Sequence, residues 1–342
     1  MLTFTDADLE SLLDPDAVIM AIREAFGPAY DNVRMPQRAQ IDLGSAIMIL
    51  MPCAIVGTEL CGTKIVSVSG DPRPQGRISA NYILTNTRSG QTIAVLAANY
   101  LTDLRTAATS ALATDLLARR DAATLGIFGT GRQAEAHIRL FSRNGQYRRI
   151  LVCGHTPEKT SAFVARRQAQ CAVQVVATDA ATCANTADVI CTCTSSTEPL
   201  FDGKMVRAGT HVNLIGTFQP HAREVDSGLI SRAQVFVDTY EGCFAEAGDI
   251  LVPLNAGDIR RDHIKADLHE LLTLCKGNAD PGSPVRVSGG REKTGRTSSE
   301  DITIFKSVGC ALEDLVTARL AIAATQLPLR PSQYLSRSGM GE

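Results

Sequence analysis

Leu9, Leu12 and Leu13, then Val18, Ile22 and Phe26, recur at helical spacing near the start of the chain. Thr5 stands where an N-cap belongs and Asp14-Pro15 interrupts the pattern, which predicts a short helix followed by a longer one. From Met35 to Val95 the texture changes to apolar runs of strand length: AQIDL, AIMILMP, CGTKIVSV, ANYILTNT and TIAVLAA. Gly44-Ser45, Gly70-Asp71-Pro72 and Arg88-Ser89-Gly90 punctuate them as turns. The Ala/Leu-rich stretch LRTAATSALATDLLAR then returns to helical period.

After Arg120 strands and helices alternate. TLGIFGTG, RILVCGH, QVVATD, DVICTCTS, HVNLIG and VFVD are the strands, and a helix is expected around Val225 to Ala233. Strands that are apolar throughout and separated by helices indicate a parallel sheet covered on both faces, a doubly wound α/β domain of Rossmann type. Residues 276–301, rich in Gly, Ser and Pro, read as a long surface loop. EDITIFKSVGCALEDLVTARLAIAATQL reads as an amphipathic helix. The expected organisation is an α+β unit over residues 1–120, a dinucleotide-type domain over 121–310, and a C-terminal helix at about 311–342 that returns to complete the first unit.

Composition narrows the partners. With 342 residues, 44% hydrophobic, the chain can bury a large core, and a net charge of -2 gives no field to recruit nucleic acid or an anionic membrane. No apolar run reaches the roughly 18 residues of a membrane span. The opening residues MLTFTDADLESLLDPDAV lack the basic and apolar regions of a signal peptide. The ten cysteines contain no CxxC pair and the six histidines no ligand spacing, so the expectation is reduced thiols, a cytoplasmic setting, no metal, and a small-molecule partner.

Gly129-Thr130-Gly131-Arg132-Gln133-Ala134 follows the strand TLGIF and opens the helix QAEAHIRLF. Gly129 suits the tight turn, Gly131 lets the backbone approach a pyrophosphate, and Ala134 allows close helix–strand packing, so the stretch predicts dinucleotide binding. NAD sites usually end the next strand with a carboxylate for the ribose 2′-hydroxyl. Here that place holds Gly154, His155 and Thr156, with Lys159 beyond, which favours NADP(H) over NAD(H).

Cations in the first unit are the candidates for substrate chemistry. Lys64 is alone in an otherwise uncharged strand, Arg105 begins an apolar helix beside Thr106, and Arg38 precedes AQIDL. Each alone is consistent with a surface ion pair. Together they suggest Arg38 and Arg105 as carboxylate or phosphate clamps and Lys64 as a cation that burial brings into acid–base range.

The order Met51-Pro52, Lys64, LTDLRTAATSALAT, GTGRQA, GTHVNLIGTFQPHAREVD, EGCFAEAGDILVPL and ITIFKSVGCALEDLVTARL resembles the ornithine cyclodeaminase/mu-crystallin family over nearly the whole chain. The resemblance implies a homodimer whose N-terminal unit binds substrate while a Rossmann domain presents a nicotinamide. It implies that Arg38, Lys64 and Arg105 contact the substrate carboxylate and amine or imine. Thr106 and residues 129–133 would contact the pyrophosphate, and Cys193, Thr194, Ile215 and Gly216 would line the cofactor. Two departures bear on the chemistry. Phe218 stands where cyclodeaminase members carry an acid–base Asp, and Ile49 stands where they carry a Glu before the Leu-Met-Pro signature.

The resulting expectation is an NAD(P)H-dependent oxidoreductase acting on C–N bonds, which reduces a cyclic imino acid of the pyrroline- or piperideine-carboxylate type or runs the reverse amino-acid dehydrogenation. Alternatives are a redox-neutral cyclodeamination in which Asp226 or Glu224 replaces the missing acid, and a non-catalytic crystallin-like binder. His221 is read either as a proton donor near the nicotinamide or as part of an exposed, salt-bridged loop with Arg223, Glu224 and Asp226.

Overall fold

The computed structural model describes residues 1–70, 78–143, 145–275 and 295–325. The chain divides into two compact units, one comprising Met1–Ala108 with the chain from Cys310 onward, the other Thr109–Gly309.

The first unit opens with β1 (Leu2–Phe4), α1 (Asp6–Leu12) and α2 (Pro15–Ala25). The Thr5 hydroxyl accepts from the Asp8 amide while Asp8 accepts from the Thr5 amide, a reciprocal cap. Asp14 caps α2, with Pro15 in the first turn where its missing N–H costs nothing. β2 (Val33–Arg34), β3 (Ala39–Asp42), β4 (Ala46–Ile55), β5 (Leu60–Ser69), β6 (Ile78–Asn86) and β7 (Thr92–Ala97) complete a sheet of order β1-β7-β6-β5-β4-β2, with β3 also on β4. Only β1 pairs in parallel. α3 (Ala98–Leu117) follows β7 directly and contains the division at Ala108. Arg105 therefore lies about two turns inside this helix rather than at its start, because TDL and the preceding ANYL already have helical backbone.

The second unit is an eight-stranded parallel sheet. Its strands are β8 (Thr124–Phe128), β9 (Arg149–Cys153), β10 (Gln174–Ala177), β11 (Val189–Thr192), β12 (His211–Leu214), β13 (Gln234–Val237), β14 (Ile264–Asp267) and β15 (Thr303–Lys306), in the order β10-β9-β8-β11-β12-β15-β13-β14. The chain reverses its direction of winding between β8 and β11, the crevice where doubly wound sheets bind ligands. The connecting helices are α4 (Arg132–Phe141), α5 (Pro157–Gln168), α6 (Ala180–Thr186), α7 (Ser227–Arg232), α8 (Tyr240–Glu246), α9 (Gly248–Ala256) and α10 (Leu268–Cys275).

β15 corrects the sequence reading. Thr303–Lys306 is a fully buried strand between β12 and β13, not the start of a helix. The helix α11 begins only at Ala311, ends at Ala324, and packs on β4, β5, β6 and α2 of the first unit. It is not amphipathic: Glu313, Asp314 and Thr317 are buried with its apolar side chains, because sheet and helix enclose it. Of the expected loop and C-terminal helix, residues 276–294 and 326–342 lie outside the described residues. Among the described residues no helix is long and apolar enough to cross a membrane.

Candidate functional site

In the first unit β5 and its neighbours set side chains in rows. Met51, Lys64, Tyr82, Leu96 and Phe4 are successive register partners and share one face of the sheet, the face under α11. Lys64 is only 1% exposed there. A lone ammonium would not survive such burial, and α11 answers it. Lys64 Nζ lies 2.9 and 2.8 Å from the two carboxylate oxygens of Asp314. Asp314 Oδ1 also accepts from Arg105 Nε at 3.0 Å, and Arg105 Nη1 donates to Glu313 at 2.6 Å.

Lys64 and Arg105 thus meet Glu313 and Asp314 in a buried ion-pair cluster assembled from β5, α3 and α11. Burial, followed by the Arg105 charge, pulls the Lys64 ammonium down to about 8, and Asp314 opposes that fall. Arg38 is partly buried immediately before β3, which pairs from Ala39 with Leu50. It enters the sheet beside β4, the strand that separates it from Lys64. Ile49, buried on the Lys64 face opposite Val66, is an apolar contact where the cyclodeaminase pattern has an acid. The Thr106 hydroxyl donates to the Thr102 carbonyl at 2.7 Å, within α3.

In the second unit the glycine turn lies between β8 and α4. Gly129 has φ +112°, and a Cβ there would lie 2.5 Å from the Cys193 carbonyl, so the turn excludes other residues. Gly131 is the N-cap of α4, with no side-chain cap, and a Cβ on it would meet nothing within 4 Å. The first turn of α4 therefore opens onto space that a side chain would fill, as a pyrophosphate cradle requires. Thr130 and Gln133 are partly buried around it and Arg132 is exposed. At the end of β9, Thr156 caps α5 by accepting from the Lys159 amide, and His155 and Lys159 are exposed.

The ends of β11 and β12 are held by a carboxylate, Glu224, for which the sequence offers two readings, a replacement acid or part of an exposed loop. Glu224 is fully buried: its oxygens accept from Thr192 Oγ1 at 2.6 Å, Thr194 N at 2.9 Å, Thr194 Oγ1 at 2.7 Å and Gly216 N at 2.8 Å. Gly216 is forced, since a Cβ would sit 2.0 Å from the Thr194 carbonyl. Asp249 accepts from the Glu224 and Val225 amides and from Thr217 Oγ1, and Lys306 Nζ lies 2.9 Å from Asp249 and donates to the Thr217 carbonyl. Burial, then the Asp249 charge, pushes the Glu224 carboxyl upward.

Asp226 is likewise occupied, capping α7 and accepting from the Gly203 amide. Of the expected lining, Cys193 is buried with its sulfur 3.8 Å from His137 Nδ1, and the Ile215 amide donates to the Thr192 carbonyl. Phe218, partly buried, follows the anchored Thr217, and His221 is exposed. Sequence reasoning missed Glu313, Asp314, Asp249 and Lys306. Each is a charge inside an apolar run, the same signal that singled out Lys64.

The sequence model of the ornithine cyclodeaminase/mu-crystallin family matches residues 1–324. The Δ1-pyrroline-2-carboxylate reductase of Bacillus cereus is 34% identical over 275 residues, 79% of each chain. Among solved structures, the Δ1-pyrroline-2-carboxylate reductase of Thermococcus litoralis, in complex with NADH and L-proline, superposes with a TM-score of 0.85 at 29% identity, covering 95% of this chain and 97% of that one. An archaeal alanine dehydrogenase dimer with bound NAD gives 0.83 at 26% identity, covering 95% and 96%. A buried lysine under α11, a glycine turn on a parallel sheet and a match through residue 324 agree: the chain belongs to the ornithine cyclodeaminase/mu-crystallin family.

Proposed function

We propose that the protein is a nicotinamide-dependent oxidoreductase that reduces the C=N bond of a cyclic imino acid, of the pyrroline- or piperideine-2-carboxylate type, or oxidises the corresponding amino acid. The observation that carries this reading is Lys64, an ammonium buried on β5 and tuned to about 8, where it exchanges a proton near neutral pH. When bound at the Gly129–Gly131 turn, the dinucleotide supplies the hydride in one direction and accepts it in the other. Lys64 gives its proton to the imine nitrogen in reduction and takes one from the amine in oxidation. Arg38 and Arg105 hold the carboxylate, and Arg105 is kept in one orientation by Glu313 and Asp314.

The redox-neutral alternative needs a further acid. Glu224 and Asp226, the residues able to replace it, spend their oxygens on backbone amides and hydroxyls instead. The test supplies Δ1-pyrroline-2-carboxylate, Δ1-piperideine-2-carboxylate, L-proline, L-alanine and L-ornithine with each cofactor. One nicotinamide oxidised per imine consumed is expected. Ammonia release from ornithine without net absorbance change, or cofactor binding with no turnover on any of these compounds, would overturn the reading.

For the cofactor, NADP(H) is the preferred form. The end of β9 presents His155, Thr156 and Lys159 with no carboxylate before Glu158, so the position that binds the ribose 2′-hydroxyl in NAD sites holds donors instead of an acid. Lys159→Glu is expected to weaken NADPH binding about tenfold and NADH binding less than twofold, measured by fluorescence titration, the order expected for a charge reversal at one phosphate contact. Equal losses would remove Lys159 from phosphate recognition.

We also infer a homodimer. The sheet face opposite Lys64 carries the half-buried row Pro52, Thr63, Ile83 and Val95, flanked by Leu50 and Ile65. Such a continuous apolar face suits a second copy of the chain, and the archaeal alanine dehydrogenase relative is a dimer. Light scattering should give twice the 36.5 kDa chain mass, and Ile65→Asp should halve it. A monomeric wild type refutes this. Cys53, Cys61, Cys153, Cys171, Cys183, Cys191, Cys193, Cys243 and Cys310 are free thiols, which fits a cytoplasmic location.

A further inference from the structure

We propose that Asp314 is a positioning residue of the reaction, which fixes the Lys64 ammonium and the Arg105 guanidinium on a single carboxylate so that α11 sets where the proton is held. This rests on the reading of Lys64 given above. Asp314 lies 250 residues from Lys64 in sequence, yet its Oδ1 accepts from both Lys64 Nζ and Arg105 Nε, while its Oδ2 lies 2.8 Å from the same ammonium.

Packing alone does not account for the arrangement. Apart from Lys64 the sheet face under the first turn of α11 is largely apolar, and leucine or methionine in place of both Lys64 and Asp314 would fill the space without the desolvation cost of a buried charge pair. Glu313, the neighbouring acid, accepts from Arg105 Nη1 at 2.6 Å, while Asp314 takes both Lys64 Nζ and Arg105 Nε. Both acids stand in the first turn of a 14-residue helix, the end of the helix dipole that attracts acceptor side chains. The geometry makes Asp314 the opposing charge that keeps the Lys64 proton in place despite burial and the repulsion of Arg105. A carboxylate acting in this way governs the pH at which Lys64 gives up its proton, not merely the stability of the fold.

The test reads Lys64 directly. In protein labelled with 13C,15N-lysine, the side-chain resonance missing from Lys64→Met identifies the group, and its pH titration is followed without cofactor or substrate. The wild-type midpoint should lie near about 8. In Asp314→Asn it should fall by at least about one unit, a tenfold loss of proton affinity, and the alkaline limb of Δ1-pyrroline-2-carboxylate reduction should move with it. Glu313→Gln should move the midpoint by less than half as much.

An unmoved midpoint in Asp314→Asn overturns the inference. Should that variant fail to fold, Asp314→Glu carries the test: the midpoint stays within about half a unit while kcat falls tenfold or more, and a full kcat or a shifted midpoint overturns it. Loss of turnover in Lys64→Met with no effect at Asp314 rejects the inference alone. Full turnover in Lys64→Met rejects the reading on which it stands.

Discussion

Lys64→Met is expected to lower kcat for reduction of Δ1-pyrroline-2-carboxylate about 10³-fold, the range set by loss of a general acid and equivalent to about 4 kcal/mol of barrier. Methionine keeps the length and apolar stem of lysine, so Met51, Tyr82 and α11 keep their packing while the proton and the charge disappear. The pH profile carries the diagnosis. Reduction needs the ammonium, so the wild-type rate should fall as pH rises through about 8, and amino-acid oxidation, which needs the free amine, should rise through the same interval. In the variant both limbs flatten.

The same substitution removes the Lys64 ammonium from beside the buried Asp314 carboxylate and breaks that ion pair. A loss of stability of about 3–5 kcal/mol is expected from a broken buried pair, and Asp314→Asn in the Lys64→Met background should recover much of it. Steady-state profiles alongside denaturation curves separate the chemical loss from the structural one. Wild-type kcat in a folded Lys64→Met protein would exclude Lys64 as the proton source.

What was legible in the sequence was local. The glycine turn is fixed by a strand, a tight turn and a helix within a few residues, and all three were written in TLGIFGTGRQAEAHIRLF. Lys64 stood out because a charge inside an apolar strand must find a partner. Its partner was invisible because Asp314 arrives through the tertiary fold from the far end of the chain.

Lys306 carried the same signal and was overlooked. ITIF was joined to the helix after it, and a short apolar run does not distinguish a buried strand from a buried helix by period. Glu224 failed for the opposite reason. Flanked by Arg223 and Asp226 it looks like a surface residue, whereas amides and hydroxyls from β11 and β12, brought together only by the sheet, bury it. Arg105 reads in the sequence as a helix start, but the helical backbone begins at Ala98, directly after β7.

Lys306→Met is expected to destabilise the second unit by about 3–5 kcal/mol, because it removes the cation that faces two fully buried carboxylates. Asp249 would lose its ion-pair partner, and through Asp249 the backbone of Glu224 and Val225 would lose its anchor. Glu224 in turn holds the Thr194 and Gly216 amides, so dinucleotide affinity should fall about tenfold even though no residue of the glycine turn is changed. The pH dependence has a definite sign. Glu224 is already raised by burial and by Asp249, and Lys306 is the group that opposes the rise, so its loss raises Glu224 further. A carboxyl raised in the folded state contributes stability that is present below its unfolded value and is lost as pH rises through its folded value. The deficit of the variant should therefore be largest at alkaline pH and shrink as pH falls toward the folded-state value of Glu224. Urea denaturation of both proteins across that range measures it, and Asp249→Asn in the Lys306→Met background should recover stability most strongly at the alkaline end. A deficit independent of pH would show that Lys306 acts through packing and its bond to the Thr217 carbonyl rather than through the two carboxylates.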